Sequence, residues 1–212
     1  MSVAHNLQAI RERIAATGRD PDDITIVAVT KGFGVEMCRQ AVAAGLRILG
    51  ENRVQEALEK IPQVEGATWH LIGHLQTNKV KISIGQFDFI HSLDSLHLAE
   101  AIAHHDRTQK VLVEVNVARE AQKSGVSPER AVDLVVEAAK LVDVRGLMAM
   151  GPAQGDPSPA FDELRRLRDE SQERLGKSLP ILSMGMSGDY EAAVKAGSTM
   201  LRLGTALFGP RP

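Results

Sequence analysis

The 212 residues carry 25 lysines and arginines against 27 aspartates and glutamates, and 43% are hydrophobic, a composition ordinary for a soluble globular chain. The net charge of −2 leaves no basic footprint for nucleic acid, and no apolar stretch approaches the roughly 20 residues that span a bilayer. The start Met1-Ser2-Val3-Ala4-His5-Asn6 lacks the features of a signal peptide, and one cysteine, Cys38, excludes an internal disulfide and fits a reducing cytoplasm.

Strand-like and helix-like patterns alternate along the whole chain. An amphipathic helix over Val3 to Ala16 comes first. Candidate strands follow at Ile24–Thr30, Arg47–Gly50, Trp69–Leu75, Phe87–Leu93, Lys110–Val117, Val144–Met150, Ile181–Met186 and Met200–Phe208. Helical patterns lie between them, among them Val35 to Ala44 (which holds Cys38 as a packing residue), Pro128 to Leu141, Pro159 to Leu175 and Tyr190 to Ala196. Ser127-Pro128 reads as an N-cap with proline at the first helical position, and Gly197 ends the Tyr190 helix. Short strands alternating with helices imply parallel βαβ units. Eight strands predict a (β/α)8 TIM barrel with an extra N-terminal helix, and 1–212 as a single domain, since no linker or composition shift divides the chain. An open doubly wound sheet is the alternative. The helix after the eighth strand is expected to be missing, with the first helix covering that gap or the barrel floor.

Lys31 ends the first β-branched run, just before Gly32 and Gly34 break it. Chemistry in parallel α/β folds gathers at this end of the strands. A lysine amine held away from water has a lowered pKa and can attack a carbonyl to form a Schiff base; alone, the same lysine could simply snorkel to solvent. Two later segments add weight. Ser183-Met184-Gly185-Met186-Ser187-Gly188-Asp189 leaves the seventh strand and Arg202-Leu203-Gly204-Thr205 leaves the eighth. With their glycines, hydroxyls and helix starts these two loops resemble the phosphate site of barrel enzymes; either alone could be an ordinary helix cap or turn, and their joint position favours phosphate. Alternation puts Met200, Arg202 and Gly204 on one face and Leu201 and Leu203 on the other. Arg202 therefore points into the barrel mouth, toward a ligand or a salt bridge with Glu51 or Glu114.

The motifs Ala28-Val29-Thr30-Lys31, Gly50-Glu51-Asn52-Arg53-Val54-Gln55-Glu56, Trp69 to Lys79 with its His-Leu-Ile-Gly core, Lys123-Ser124-Gly125, Gly146 to Met150, Ser183 to Ser187 and Arg202 to Gly209 occur in one order. With them the chain resembles the pyridoxal 5′-phosphate homeostasis proteins, whose barrel is similar to the amino-terminal domain of alanine racemase. The resemblance implies that Lys31 forms an aldimine with pyridoxal 5′-phosphate, that Asn52 lies beside the cofactor and that Ser187, Gly204 and Thr205 hold the phosphate. Arg202 would face the pyridine nitrogen. Gly32-Phe33-Gly34 departs from the family's usual Thr-x-Pro, and His74 replaces a commoner proline or arginine. By the same resemblance a racemase needs a second base, a tyrosine brought by a further domain of a partner subunit. This sequence has only Tyr190, at a helix start, and ends with its barrel.

The expected function is therefore a monomeric, cytoplasmic protein that buffers or delivers pyridoxal phosphate without catalytic turnover, with PLP-dependent apoenzymes as possible recipients and neither nucleic acid nor membrane as partner. A weak amino-acid racemase and a Schiff-base aldolase acting on a phosphorylated sugar are the alternatives. His70 and His74 share a strand face near His91 and Asp94, a pattern metal barrels use, but no tighter cluster is visible. His104 and His105 read as a solvated helix end, and Lys79 and Lys81 as a charged helix surface.

Overall fold

A computed structural model describes residues 2–210. The β-branched and leucine-rich runs form β1 (Thr25–Val29), β2 (Ile48–Glu51), β3 (Thr68–Leu71), β4 (Phe89–Leu93), β5 (Lys110–Glu114), β6 (Asp143–Met148), β7 (Ile181–Ser183) and β8 (Met200–Leu203). All neighbours pair in parallel, and β1 pairs with β8, so the sheet closes into a barrel in strand order 1 to 8. Closure excludes the open doubly wound alternative. The helical layer contains α1 (Val3–Ala15), α2 (Val35–Ala43), α3 (Val54–Lys60), α4 (Val80–Ser83), α5 (Leu96–His105), α6 (Pro128–Ala138), α7 (Ser158–Leu175), α8 (Tyr190–Lys195) and α9 (Thr205–Phe208).

Alternation divides the strand residues between two cores. Val27, Leu112, Met148 and Met200 fill the barrel interior, while Ala28, Leu49, Leu71, Ile90, Val113 and Leu201 face the helices in the larger cluster. The register of β1 against β8 sets Val27 beside Arg202 and Ala28 beside Leu203. The next inward layer thus holds Val29 and Gly204, and above it Lys31.

Helix α1 begins at Ser2, whose hydroxyl accepts from His5 N at 3.3 Å, and buries Val3, Ile10 and Ile14. Full burial of an isoleucine such as Ile14 contributes roughly 1.5–3 kcal/mol. It packs against α9, α8 and α2, and Asn6 Nδ2 donates to Leu207 O at 2.8 Å. The extra helix therefore covers the outer wall beside the eighth strand rather than the floor.

The fifth and sixth strands stop at Glu114 and Met148, short of the expected Val117 and Met150, and three further expectations need correction. The eighth strand stops at Leu203, and Thr205–Phe208 turns into α9, so a short helix does follow it; Gly204, at the N-cap of α9, is where the chain leaves the sheet. The third strand stops at Leu71 rather than Leu75, because the chain must pass Asn52 at Gly73. A Cβ there would sit 2.8 Å from Asn52 Cα, and nearer still to its carbonyl oxygen. The seventh strand stops at Ser183, ahead of Gly185 with φ of +100°. Ser127 does occupy the N-cap of α6, but its side chain makes no capping hydrogen bond.

Candidate functional site

The carboxyl ends of β1, β2, β7 and β8 surround a cavity of about 300 Å³. Lys31, Asn52, Ser187, Arg202, Gly204 and Thr205, all singled out in the sequence, line it together. Apolar walls come from Val29, Phe33, Ile72 and Met150. Phe33, in the Gly-Phe-Gly turn after Lys31, rests on Phe208 of α9 with ring centroids 5.3 Å apart. The two ends of the chain's barrel are thereby joined at the cavity wall.

The turn that carries Lys31 is held on both sides by a buried ionic cluster that sequence reasoning missed. Glu51, on the outward face of β2, accepts from Thr30 Oγ1 at 2.7 Å. Lys60 of α3 donates to Thr30 O at 2.9 Å, to Glu51 Oε1 at 2.7 Å and to Glu56 Oε1 at 2.8 Å. Glu56 also accepts from Gly32 N at 2.7 Å, and Gly32 has φ of +75°, where glycine is favoured. Peptide groups before and after Lys31 are thus bonded to Lys60 and Glu56. Burial raises the Glu51 carboxyl, opposed by the Lys60 and Thr30 hydrogen bonds. The only sequence signal was the i, i+4 pair Glu56–Lys60, which resembles an ordinary surface pair.

On the opposite wall, Ser187 Oγ accepts from Ala206 N at 3.0 Å, tying the loop after β7 to the start of α9. Asp189 closes the first loop, accepting from Met186 N at 2.6 Å. Two backbone segments with glycines and hydroxyls therefore face one end of the cavity, an arrangement that suits an anion.

Arg202 is buried, with 4% of its surface exposed. Neither Glu51 nor Glu114 takes its hydrogen bonds. Glu51 faces the helices, and Glu114 Oε1 accepts from Ser124 Oγ at 2.7 Å. The guanidinium instead donates to Ser183 O at 2.7 Å, Ser183 Oγ at 2.8 Å and Ala149 O at 2.9 Å. Burial lowers its pKa to about 10, opposed by the Glu114 and Asp189 charges, so it remains a cation at neutral pH.

The histidine group splits. His70 and His91 face the barrel interior with ring nitrogens 3.0 Å apart, whereas His74 lies beyond the end of β3, half-exposed, against Asp94 at 3.2 Å. Among the described residues no three His, Cys, Asp or Glu side chains converge as metal ligands. Burial lowers His70 to about 3 and His91 well below its usual range. Both imidazoles should therefore stay neutral where a free histidine would protonate. Protons taken up only by the unfolded chain cost stability as pH falls from about 6.5 toward 3, with a slope for His70 approaching 1.4 kcal/mol per pH unit. Glu51 and Glu114 act with the opposite sign, since burial raises both carboxyls. Ring-carbon NMR signals of His70 and His91 should accordingly stay at their neutral positions down to about pH 5; movement near pH 6 would refute their dry burial. Lys79, Lys81 and Lys123 lie outside the cavity lining; Lys123 Nζ donates to Gly151 O at 2.7 Å.

Residues 2–212 match the family model described as "Alanine racemase, N-terminal domain". The chain is 40% identical to the pyridoxal phosphate homeostasis protein of Aquifex aeolicus, over 100% of this chain and 99% of the relative. It is 36% identical to the protein of that name in Escherichia coli K12, over 99% and 97%. Among solved structures, PipY of Synechococcus elongatus with PLP bound superposes with a TM-score of 0.85 at 33% identity, covering 98% of this chain and 100% of that one. Alanine racemase of Corynebacterium glutamicum shares the fold, with a TM-score of 0.79 at 15% identity over 99% of this chain and 61% of the racemase. The chain belongs to the alanine racemase N-terminal domain family and, within it, to the pyridoxal phosphate homeostasis proteins.

Proposed function

We propose that the cavity takes pyridoxal 5′-phosphate, held covalently through Lys31, and that the protein buffers or delivers this cofactor inside the cell rather than using it for turnover. The observation that carries the reading is the convergence of Lys31, Asn52, Ser187, Arg202, Gly204 and Thr205 on one cavity of about 300 Å³. The chemistry of the lining suits each part of the molecule. An amine on a braced turn can condense with the aldehyde, releasing water. Hydroxyls and glycine-containing loops at the starts of α8 and α9 suit the phosphate. Arg202 presents donors only, which suits a ring nitrogen that carries a lone pair and no proton. An unprotonated ring is a poor electron sink, which disfavours general transamination. The relatives' shared name and the PLP in the PipY structure support the same ligand. We further propose that residues 1–212 act as one cofactor-binding domain, as a monomer, in the cytoplasm, with PLP-dependent apoenzymes as recipients.

Incubating the purified chain with pyridoxal phosphate should give a visible absorption band. Borohydride should fix it, and peptide mass mapping should find the pyridoxyl group on Lys31. Lys31→Ala should lose the band. An adduct mainly on Lys79, Lys81 or Lys123 would defeat the assignment, and the absence of any band would favour the aldolase reading. Pyridoxal without its phosphate should bind about 100-fold more weakly in equilibrium titration, because the loops after β7 and β8 would go unused. Equal affinities would remove Ser187, Gly204 and Thr205 from the phosphate role.

A further inference from the structure

Beneath the cavity, four polar side chains form a buried line across the barrel. Arg202 on β8 donates to Ser183 Oγ on β7 at 2.8 Å. Ser183 Oγ lies 3.2 Å from His91 Nδ1 on β4, on the far side of the barrel interior. His91 Nε2 lies 3.0 Å from His70 Nδ1 on β3. Every member is almost fully buried, the least so being Arg202 at 4% exposure. The Val27–Leu112–Met148–Met200 cluster occupies the same interior.

Proton counting gives this line a direction. A guanidinium can only donate, so Ser183 Oγ accepts from it. The serine then has one proton to give, and His91 Nδ1 is in reach of it. If His91 Nδ1 instead donated to Ser183, the hydroxyl proton would be buried with no hydrogen-bond acceptor in the site, at appreciable cost. His91 thus carries its proton on Nε2 and donates to His70 Nδ1, which leaves the His70 proton on Nε2 as well. Each group turns its acceptor side toward Arg202. A cation without a hydrogen-bonded carboxylate is in this way solvated by oriented dipoles in a dry core.

We infer that Ser183, His91 and His70 form a one-directional hydrogen-bond chain that positions the Arg202 guanidinium toward the ring nitrogen of the ligand. The three are positioning residues, acting through Arg202 and not on the ligand. This inference rests on the pyridoxal phosphate reading for its last link only. A chain spanning four strands lets Arg202 hold one orientation where an isolated buried arginine would have several.

The test has two arms. Histidine side-chain nitrogen NMR on the ligand-free protein should find both His70 and His91 protonated on Nε2 alone. A proton on Nδ1 of either ring overturns the direction, and this arm needs neither ligand nor variant. In the second arm, pyridoxal phosphate labelled with ¹⁵N in the ring is bound to the wild type, His91→Phe and His91→Asn. The wild type should show the signal of an unprotonated, hydrogen-bonded ring nitrogen. His91→Phe should shift that signal toward a free or protonated ring and weaken binding about tenfold. His91→Asn, whose amide oxygen can stand in for Nδ1, should restore most of both. If His91→Phe is less stable but its ring-nitrogen signal is unchanged, the chain is structural only and the inference fails. Should His91→Phe not fold, Ser183→Ala provides the same comparison. A wild type that binds no labelled ligand would instead sink the pyridoxal phosphate reading, leaving the first arm to decide the direction.

Discussion

Lys60→Met should lower the thermal unfolding midpoint by about 10 °C, the largest stability effect expected from a single change near the site. Lys60 is 7% exposed by side chain and Glu51 0%, so the pair lies outside the weak surface class. Removing the ammonium leaves Glu51 with a hydroxyl partner only, and leaves Thr30 O and Glu56 without their cation. Breaking a buried pair from one side costs about 3–5 kcal/mol, and a domain of this size loses roughly 2–4 °C per kcal/mol. One carboxylate oxygen of Glu51 is already buried without a hydrogen bond, so little slack exists to absorb a second loss. The double variant Lys60→Met/Glu51→Gln should recover much of the deficit, because the fully buried charge is then gone and Glu56 is partly exposed to water. Recovery would separate ion-pair loss from lost packing by the lysine stem; if the double variant is no better than the single, the ionic account is wrong. The turn should loosen in parallel. Borohydride trapping at Lys31 should fall in Lys60→Met more than the folded fraction does, since the Thr30 carbonyl loses its donor and Glu56, which holds Gly32 N, loses the cation that fixes it.

How much of this site could be read from the sequence depended on whether the cause was local. Lys31 is legible because it ends a buried β-branched run just before the glycines that break it, and Arg202 because period-two alternation in a buried strand is dictated by the backbone and a charge on the inward face needs a reason. The closed register confirms that layering, with Val27 beside Arg202. The ends of β3, β7 and β8 were not legible, since what stops them is contact across the fold or a turn geometry: Asn52 at Gly73, and a positive φ at Gly185. The overlong β3 carried a second error, placing His74 on the face of His70 when it lies beyond the strand. Lys60 was invisible for a related reason. Glu-x-x-x-Lys on a helix reads as a solvated pair, and only the packing of α3 against β2 turns Lys60 inward, toward Glu51 and Thr30. For Arg202 the alternation leaves two readings, a ligand-facing arginine or a salt bridge to Glu51 or Glu114; Arg202 lines the cavity, and its hydrogen bonds go to two carbonyls and a serine instead of to either carboxylate.

Alanine should not be interconverted between its enantiomers at an enzyme-like rate by this protein, even when it is loaded with pyridoxal phosphate. Racemisation removes the α-proton on one face and returns it on the other, so it needs an acid–base group on each. Lys31 can serve one face. The chain's sole tyrosine, Tyr190, does not line the cavity: its ring lies under Arg13 at 5.6 Å, and it lines a neighbouring hollow with Asn6 and Ile10 that meets the cavity only at Ser187 and Thr205. Burial raises its hydroxyl pKa further from neutrality. Each well-placed acid–base group contributes roughly 10²–10⁴ in rate, and losing one of two leaves exchange without inversion as the faster process. The measurement is deuterium incorporation at Cα from L-alanine and from D-alanine in heavy water, with chiral analysis of the product. Slow exchange on one face, with retention, fits an amine that trades its ligand with incoming amino acids and then returns the proton from its own side. Tyr190→Phe should leave that exchange unchanged. Rapid inversion that disappears in Lys31→Ala would mean that some other group in the cavity reaches the second face, and that the protein is an enzyme after all.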